Sequence, residues 1–146
     1  MSSFSLSNQI HLFHSNAAGK ENLWTAGFGK TETSSRSDYL MHVETKYVSL
    51  KDCTKAFQTV DWIEIKDSMI CVQNDDVSKQ ACFGDSGGPL YDSDSNTLVG
   101  VVSTGNDSCY GLPVIYTRLA SHVSTSVGNA MLSLALLQIL LCFQFI

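Results

Sequence analysis

The hexapeptide Gly-Asp-Ser-Gly-Gly-Pro at residues 84–89 places one hydroxyl group between glycines. Glycine adopts backbone angles that other residues rarely reach, and it lets a substrate carbonyl approach the main chain closely. We therefore predict a tight turn in which Ser86 is a nucleophile and the N–H groups of Gly84 and Ser86 point at one oxyanion. This is the chemistry of acyl transfer, in which hydrogen bonds to the oxyanion usually give the largest single stabilisation.

Five apolar or alternating runs, bounded by Gly, Asp, Asn and Ser, predict the strands that must position this turn. The polar segment at residues 92–96 predicts a solvated turn between two strands. Calcium binding there is the less favoured alternative, because spaced ligands and an end carboxylate are lacking. The pattern as a whole is that of an all-β domain, whose predicted strands are residues 23–28, 40–50, 68–72, 98–103 and 114–117.

Five motifs, in one order along the chain, carry a resemblance to a known family. They are LWTAGFG at residues 23–29, MIC at 69–71, the hexapeptide at 84–89, LVGVVSTG at 98–105 and VIYTR at 114–118. Together they resemble the C-terminal half of the chymotrypsin/trypsin-like serine peptidases. The resemblance implies an antiparallel β-barrel, the second barrel of a two-barrel fold, with a short helix at residues 52–60.

The resemblance and the composition of the C-terminal residues divide the chain into four parts. Residues 1–22 are an N-terminal segment that includes the start of the barrel, and residues 23–120 are the barrel itself. Residues 121–129 form a polar spacer, and residues 130–146 form an uncharged hydrophobic tail. The tail fits a GPI-attachment signal, a short membrane anchor or an interaction helix, and the first two would place the protein at a membrane.

In the family, the triad histidine and aspartate precede the serine. His11, His14 and His42 precede Ser86 but lie in other sequence settings, and a rebuilt triad using His14 or His42 is the less favoured alternative. We therefore expect a truncated serine-type endopeptidase that acts on a protein or peptide substrate without a cofactor or metal, its first barrel missing. The alternative is a non-catalytic pseudoprotease, a protein-binding module whose partner covers the face that the first barrel would occupy.

The resemblance also assigns residues around the serine. It implies that Asp85 shapes the loop, here without the freed N-terminal amine that pairs with it in the family. Gln80 stands at the pocket-floor position, where members that select Arg or Lys carry an acidic residue. Val114 stands where members with a deep pocket carry glycine, so its side chain shortens the pocket. Thr104 replaces the family's tryptophan and so removes an aromatic face from the substrate strand. We expect small uncharged side chains in this pocket, whose implied substrate-binding residues are Gln80, Phe83, Ser103, Thr104, Gly105 and Val114.

The cysteines indicate an oxidising compartment. By resemblance, Cys53 pairs with Cys71 and Cys82 pairs with Cys109, and four free thiols in a cytosolic protein are the less favoured alternative. The triplet that begins at Asn106 is an N-glycosylation acceptor in a predicted surface loop. We expect an extracellular or cell-surface protein, although residues 1–10 lack the basic and apolar regions of an export signal. The formal net charge of −5 argues against nucleic acid as a partner.

Overall fold

A computed structural model describes Gly19 and residues 22–119 of the chain. Six antiparallel strands in this part close into a barrel in the order β1-β2-β3-β6-β5-β4, and β4 pairs with β1 to complete it. This architecture confirms the predicted all-β barrel. The elements are β1 Leu23–Gly27, β2 Met41–Val48, α1 Leu50–Ala56, β3 Met69–Gln73, β4 Pro89–Asp92, β5 Thr97–Thr104 and β6 Val114–Arg118.

The helix α1 lies earlier in the chain than the predicted residues 52–60. Its N-terminal cap is Ser49, whose hydroxyl oxygen accepts a hydrogen bond from the Asp52 N–H at 3.1 Å. The same hydroxyl donates to the Asp52 carboxylate at 2.6 Å, so the side chain and backbone of Asp52 both fix the first turn. The helix ends before Phe57, which is buried in a cluster with Cys53, Cys71 and Ile115.

Two apolar clusters hold the barrel together. The first fills the barrel interior, and the second lies where α1 packs against β3. Burial of each large apolar side chain stabilises the fold by roughly 1.5–3 kcal/mol. The interior cluster contains Leu23, Ile70, Val72, Ala81, Leu90, Val99, Val102, Val114 and Tyr116, and the second contains Cys53, Phe57, Cys71 and Ile115.

Both predicted disulfides are confirmed. Cys53 is bonded to Cys71 within the second apolar cluster, and both residues are fully buried. Cys82 is bonded to Cys109, and both residues are half-buried. The first bridge therefore lies in the core, and the second joins two surface segments.

The turn between β4 and β5 is the predicted turn at residues 92–96, but it is not wholly solvated. Asp92 is fully buried, and its carboxylate accepts hydrogen bonds from the Asp94 N–H at 3.1 Å and the Ser95 hydroxyl at 2.6 Å. The turn thus folds around the carboxylate of Asp92. The strand β4, four residues long and beginning at a proline, is one that the apolar runs do not indicate.

Several predictions from the sequence concern residues outside the described part. These residues are the N-terminal segment before residue 22 apart from Gly19, the polar spacer, the hydrophobic tail, His11 and His14. Among the described residues, no helix has the length and apolar character needed to cross a membrane.

Candidate active site

Ser86 lies exposed in the segment from Cys82 to Gly88, which we call the serine loop. Gly84 has φ of +94° and Gly87 has φ of +85°, in the left-handed region that favours glycine. A side chain at either position would strain this path. The two glycines therefore allow the chain to turn on each side of Ser86 and leave its hydroxyl open to solvent.

Hydrogen bonds fasten the serine loop to the barrel. The Gly87 N–H donates to the Val102 carbonyl at 3.0 Å, and the Val102 N–H donates to the Gly88 carbonyl at 2.9 Å. On the other side, the Lys30 N–H donates to the Phe83 carbonyl at 2.8 Å. The loop is thus held by β5 and by the segment that follows β1.

The side chain of Asp85 turns inward and anchors the centre of the loop. Its Oδ1 accepts a hydrogen bond from the Gly29 N–H at 2.8 Å, and its Oδ2 accepts one from the Cys82 N–H at 2.9 Å. A Cβ atom at Gly29 would lie 2.6 Å from this carboxylate, so glycine is needed there for close approach. Asp85 is predicted to lack its cationic partner, and backbone N–H groups bind its carboxylate instead.

Two backbone donors beside Ser86 are unpaired. Within the described residues, the N–H groups of Gly84 and Ser86 donate to no acceptor, and the Ser86 hydroxyl makes no hydrogen bond. Most other N–H groups of the loop are used, namely those of Cys82, Asp85, Gly87 and Gly88. Both N–H groups predicted to be oxyanion donors are therefore free to donate to a ligand oxygen.

His42 is the single histidine in the described part of the chain. It lies on β2 with its ring centroid 5.4 Å from that of Trp24 on β1. It makes no hydrogen bond to Ser86, so the described residues do not supply the serine with a base. A serine hydroxyl without a base is a weak nucleophile at neutral pH.

A cavity of about 770 Å³ opens beside the serine loop. Asp85 and Gln80 line it together with residues after β1, residues at the start of β2 and residues 108–110. The last three residues belong to the segment 105–111 that follows β5, which we call the rim loop. Of the six predicted substrate-binding residues, Gln80 alone lines this cavity.

The other five predicted substrate-binding residues lie elsewhere. Phe83 is 56% exposed on the serine loop, whereas Val114 is buried in the barrel interior. Ser103 is exposed at a β-bulge, where the register of β5 against β6 shifts between Val102 and Thr104. Gly105 follows directly, and a Cβ atom there would meet no other atom within 4 Å.

The buried hydroxyl groups of Thr25 and Tyr116 were not predicted from the sequence. The side-chain oxygens of Thr25, Gln80 and Tyr116 are buried without a hydrogen bond of ordinary geometry. The Thr25 hydroxyl does lie near that of Tyr116, and burial raises the pKa of the tyrosine. The signal for Thr25 was present, since it lies two residues after the core residue Leu23 and therefore on the same face of β1. The N–H partners of Asp85 have no comparable signal, because backbone donors occur at nearly every residue.

The closed antiparallel barrel and the exposed serine on its glycine-rich loop are the fold and the site of a serine peptidase-like domain. The sequence profile of the trypsin family matches residues 2–125. The match covers most of the chain, and the chain therefore belongs to the trypsin family.

Relatives support the same assignment. The chain is 39% identical over 110 residues to CLIP domain-containing serine protease B4 of Anopheles gambiae, a match over 73% of this chain and 30% of the relative. It is 35% identical over 111 residues to serine protease 1 of Drosophila melanogaster, a match over 74% of this chain and 39% of the relative.

Two solved structures share the fold. HL collagenase is 29% identical with a TM-score of 0.64, and the match covers 77% of this chain and 49% of the collagenase chain. Neuropsin, a serine protease expressed in the limbic system of mouse brain, is 25% identical with a TM-score of 0.68. This match covers 78% of this chain and 50% of the neuropsin chain. The chain thus spans at most about half the length of these relatives.

Proposed function

We propose that this chain forms the serine-bearing barrel of a trypsin-like endopeptidase. The observation that carries the proposal is the exposed Ser86 hydroxyl flanked by the unpaired N–H groups of Gly84 and Ser86. Asp85 supports it, because its two hydrogen bonds hold the loop from the inner side. Donors fixed before the substrate arrives need no reorganisation when an oxyanion develops.

In the proposed reaction, Ser86 Oγ forms a bond to the carbonyl carbon of a peptide, and its proton passes to a base. The base returns the proton to the leaving amine as the C–N bond breaks, and water then hydrolyses the acyl ester. Since the described residues give Ser86 no base, we propose that the histidine and aspartate come from polypeptide packed against this barrel. That polypeptide corresponds to the part of the relatives that the chain does not cover.

An apolar surface suits such a partner. Tyr39, Leu40 and Met41 are consecutive, and their exposed fractions are 79%, 56% and 53%. Large neighbouring apolar side chains of this kind mark interaction surfaces in soluble proteins. We propose that the missing barrel covers them.

The proposed substrate is a protein or peptide with a small uncharged side chain before the scissile bond. Gln80 lines the cavity and carries no charge to pair with Arg or Lys. The preference for a small side chain rests on the family resemblance at Val114, which is buried in the barrel interior. The two disulfides support a secretory-pathway location, extracellular or cell-surface. Membrane attachment through residues 130–146 stays a prediction. Release from membranes by a GPI-specific phospholipase tests the GPI alternative, and a membrane-spanning anchor would resist it.

A chimera tests the proposed activity. The first-barrel segment of the Anopheles relative is joined upstream of the chain, and peptides that differ at the residue before the scissile bond are offered to the folded product. We expect Ala or Val peptides to be cleaved faster than Arg or Lys peptides. Ser86→Ala should lower kcat by at least about 10³-fold, whereas Ser93→Ala, at an exposed serine in the turn between β4 and β5, should not. A folded chimera that cleaves no peptide, or a Ser86→Ala variant of equal activity, would contradict the proposal.

The second candidate function is a non-catalytic protein-binding module. It is favoured by the Ser86 hydroxyl, which has no hydrogen bond in the described part of the chain, and by the exposed segment Tyr39 to Met41. If this function is correct, the separate first-barrel segment binds the chain without any gain of peptidase activity. Tyr39→Ser with Leu40→Ser should then abolish binding, and Trp62→Ser, at an exposed residue outside that surface, should preserve it.

A further inference from the structure

The rim loop carries the single Asn-X-Ser/Thr triplet of the whole sequence, which begins at Asn106 and ends at Ser108. Such a triplet is the acceptor for N-linked glycans in a secreted protein. Asp107 and Ser108 are exposed and Asn106 is half-buried. The triplet therefore lies at the surface and next to the cavity that Ser108 lines.

The side chain of Asn106 has one amide hydrogen to spare. Its Nδ2 donates one hydrogen bond to the Tyr110 carbonyl at 2.8 Å. The Ser108 hydroxyl lies 3.0 Å from Asn106 Oδ1 and 3.1 Å from the Tyr110 carbonyl, and its single proton serves one of them at a time. Because an amide nitrogen carries two hydrogens, a glycan can replace the second one while the loop keeps its bond to Tyr110.

Exposed apolar side chains adjoin this residue. Tyr110 is 60% exposed and Val77 is 44% exposed. Their segments are joined by a hydrogen bond of 3.2 Å from the Gly111 N–H to the Val77 carbonyl. A bulky hydrophilic group on Asn106 would extend over this apolar pair and keep it from contacts with other proteins.

We propose that Asn106 is N-glycosylated and that the glycan shields Tyr110 and Val77. In the modification, Asn106 Nδ2 forms a bond to the anomeric carbon of a lipid diphosphate-linked oligosaccharide. The bond from that carbon to the diphosphate oxygen breaks, the diphosphate leaves with the electron pair, and the amide gives up one proton. This inference does not depend on Ser86 being catalytic.

Occupancy is tested on the full chain, directed into the secretory pathway of eukaryotic cells by an added export signal. We expect one glycan, seen as a mass that a peptide N-glycosidase removes. Ser108→Thr should keep the glycan, and Ser108→Ala should lose it while Asn106 stays in place. An unmodified wild-type chain, or a glycan that survives Ser108→Ala, would overturn the proposal.

Shielding is tested by the binding of an apolar fluorescent dye to the same variants. The unglycosylated Ser108→Ala chain should bind about twofold more dye than the glycosylated Ser108→Thr chain. Adding Tyr110→Ser should remove this difference, whereas adding Trp62→Ser, at an exposed aromatic residue on another segment, should preserve it. Equal dye binding by the two parent chains, or a difference that survives Tyr110→Ser, would show that the glycan does not cover this surface.

Discussion

The serine loop and the rim loop are joined by the disulfide between Cys82 and Cys109, yet different forces shape them. The serine loop is bonded to distant parts of the chain, at Gly29, Lys30 and Val102. The rim loop is bonded mainly within itself, from Asn106 to Tyr110, and its outward hydrogen bonds are at Gly111. The barrel therefore determines where Ser86 lies, and the local sequence determines the rim.

This difference separates the part of the site that must be fixed from the part that can vary. A nucleophile needs a position that the scaffold dictates, since a small displacement costs much of the rate. A loop that folds on its own hydrogen bonds can change its side chains, or carry a glycan, without moving the scaffold. Three predictions test this distinction, and a fourth concerns the barrel interior.

The largest effect is expected from removal of the bridge itself. Cys82→Ala with Cys109→Ala opens a loop with a sequence separation of 27 residues. It should lower the free energy of unfolding by about 3.5 kcal/mol on the chain-entropy model. Urea unfolding measures this loss. Hydrogen exchange should then be faster at rim-loop amides than the global loss explains, while Gly87 and Gly88 follow global unfolding.

The core bridge provides the control for that experiment. Cys53→Ala with Cys71→Ala should also destabilise the chain, but it should leave local exchange in the rim loop unchanged. If the Gly87 and Gly88 amides lose as much local protection as the rim loop when the Cys82 bridge is removed, then the barrel does not hold the serine loop as described.

The next largest loss of stability is expected from an alanine at Gly88, and an alanine at Gly105 is its control. A Cβ atom at Gly88 would lie 2.8 Å from the Asp85 carbonyl oxygen and 2.9 Å from that of Ala26, whereas one at Gly105 meets nothing within 4 Å. Gly88→Ala should therefore cost about 3 kcal/mol because backbone must move. Gly105→Ala should stay within about 0.5 kcal/mol. Equal midpoints for the two variants in thermal unfolding would refute the contrast.

Asp85→Asn should have a smaller effect. An asparagine has one carbonyl oxygen where the carboxylate has two, so its amide group would face the N–H of either Gly29 or Cys82. One buried donor then loses its partner, at a cost of about 2 kcal/mol. Asp107→Asn, at an exposed residue of the rim loop, is the control and should leave stability unchanged. Chemical denaturation of both variants distinguishes the roles, and equal stability would mean that the Asp85 hydrogen bonds do not anchor the loop.

The smallest effect at neutral pH is expected from Tyr116→Phe. The hydroxyl it removes is buried without a hydrogen bond of ordinary geometry, so the change should stay within about 1 kcal/mol. Burial raises the pKa of Tyr116 in the folded chain, so folding favours the protonated form. The contribution of protonated Tyr116 to the free energy of unfolding is fully present below the unfolded-state pKa of about 10. It is lost as the pH rises above that value. Wild type should therefore lose stability relative to Tyr116→Phe at alkaline pH, and parallel pH profiles would contradict this.

The comparison also explains which features the sequence could predict. Ser86 and its glycines were predicted because the turn needs those residue types, and both cysteine pairs followed from the family resemblance. The earlier start of α1 could have been predicted from Ser49 and Asp52, which form a capping pair. Ser49 directly precedes the helix, and Asp52 is its third residue.

Other features depend on tertiary contacts. The buried carboxylate of Asp92 looks from the sequence like part of a polar turn, because only the folded hairpin shows which of its acidic side chains points inward. The backbone donors that bind Asp85 carry no residue-type signal. The strand β4 is too short to show a period, and its pairing with β1 and β5 defines it.

Reaction with a fluorophosphonate, followed by intact mass and peptide mapping, tests the proposed role of Ser86 most directly. We predict one phosphonyl group on Ser86 in the chimera that carries a first barrel, and none on the chain alone over the same time. An adduct on another serine of the folded chimera would contradict Ser86 as the nucleophile. Labelling of Ser86 at the same rate in the chain alone would contradict a base supplied by a first barrel.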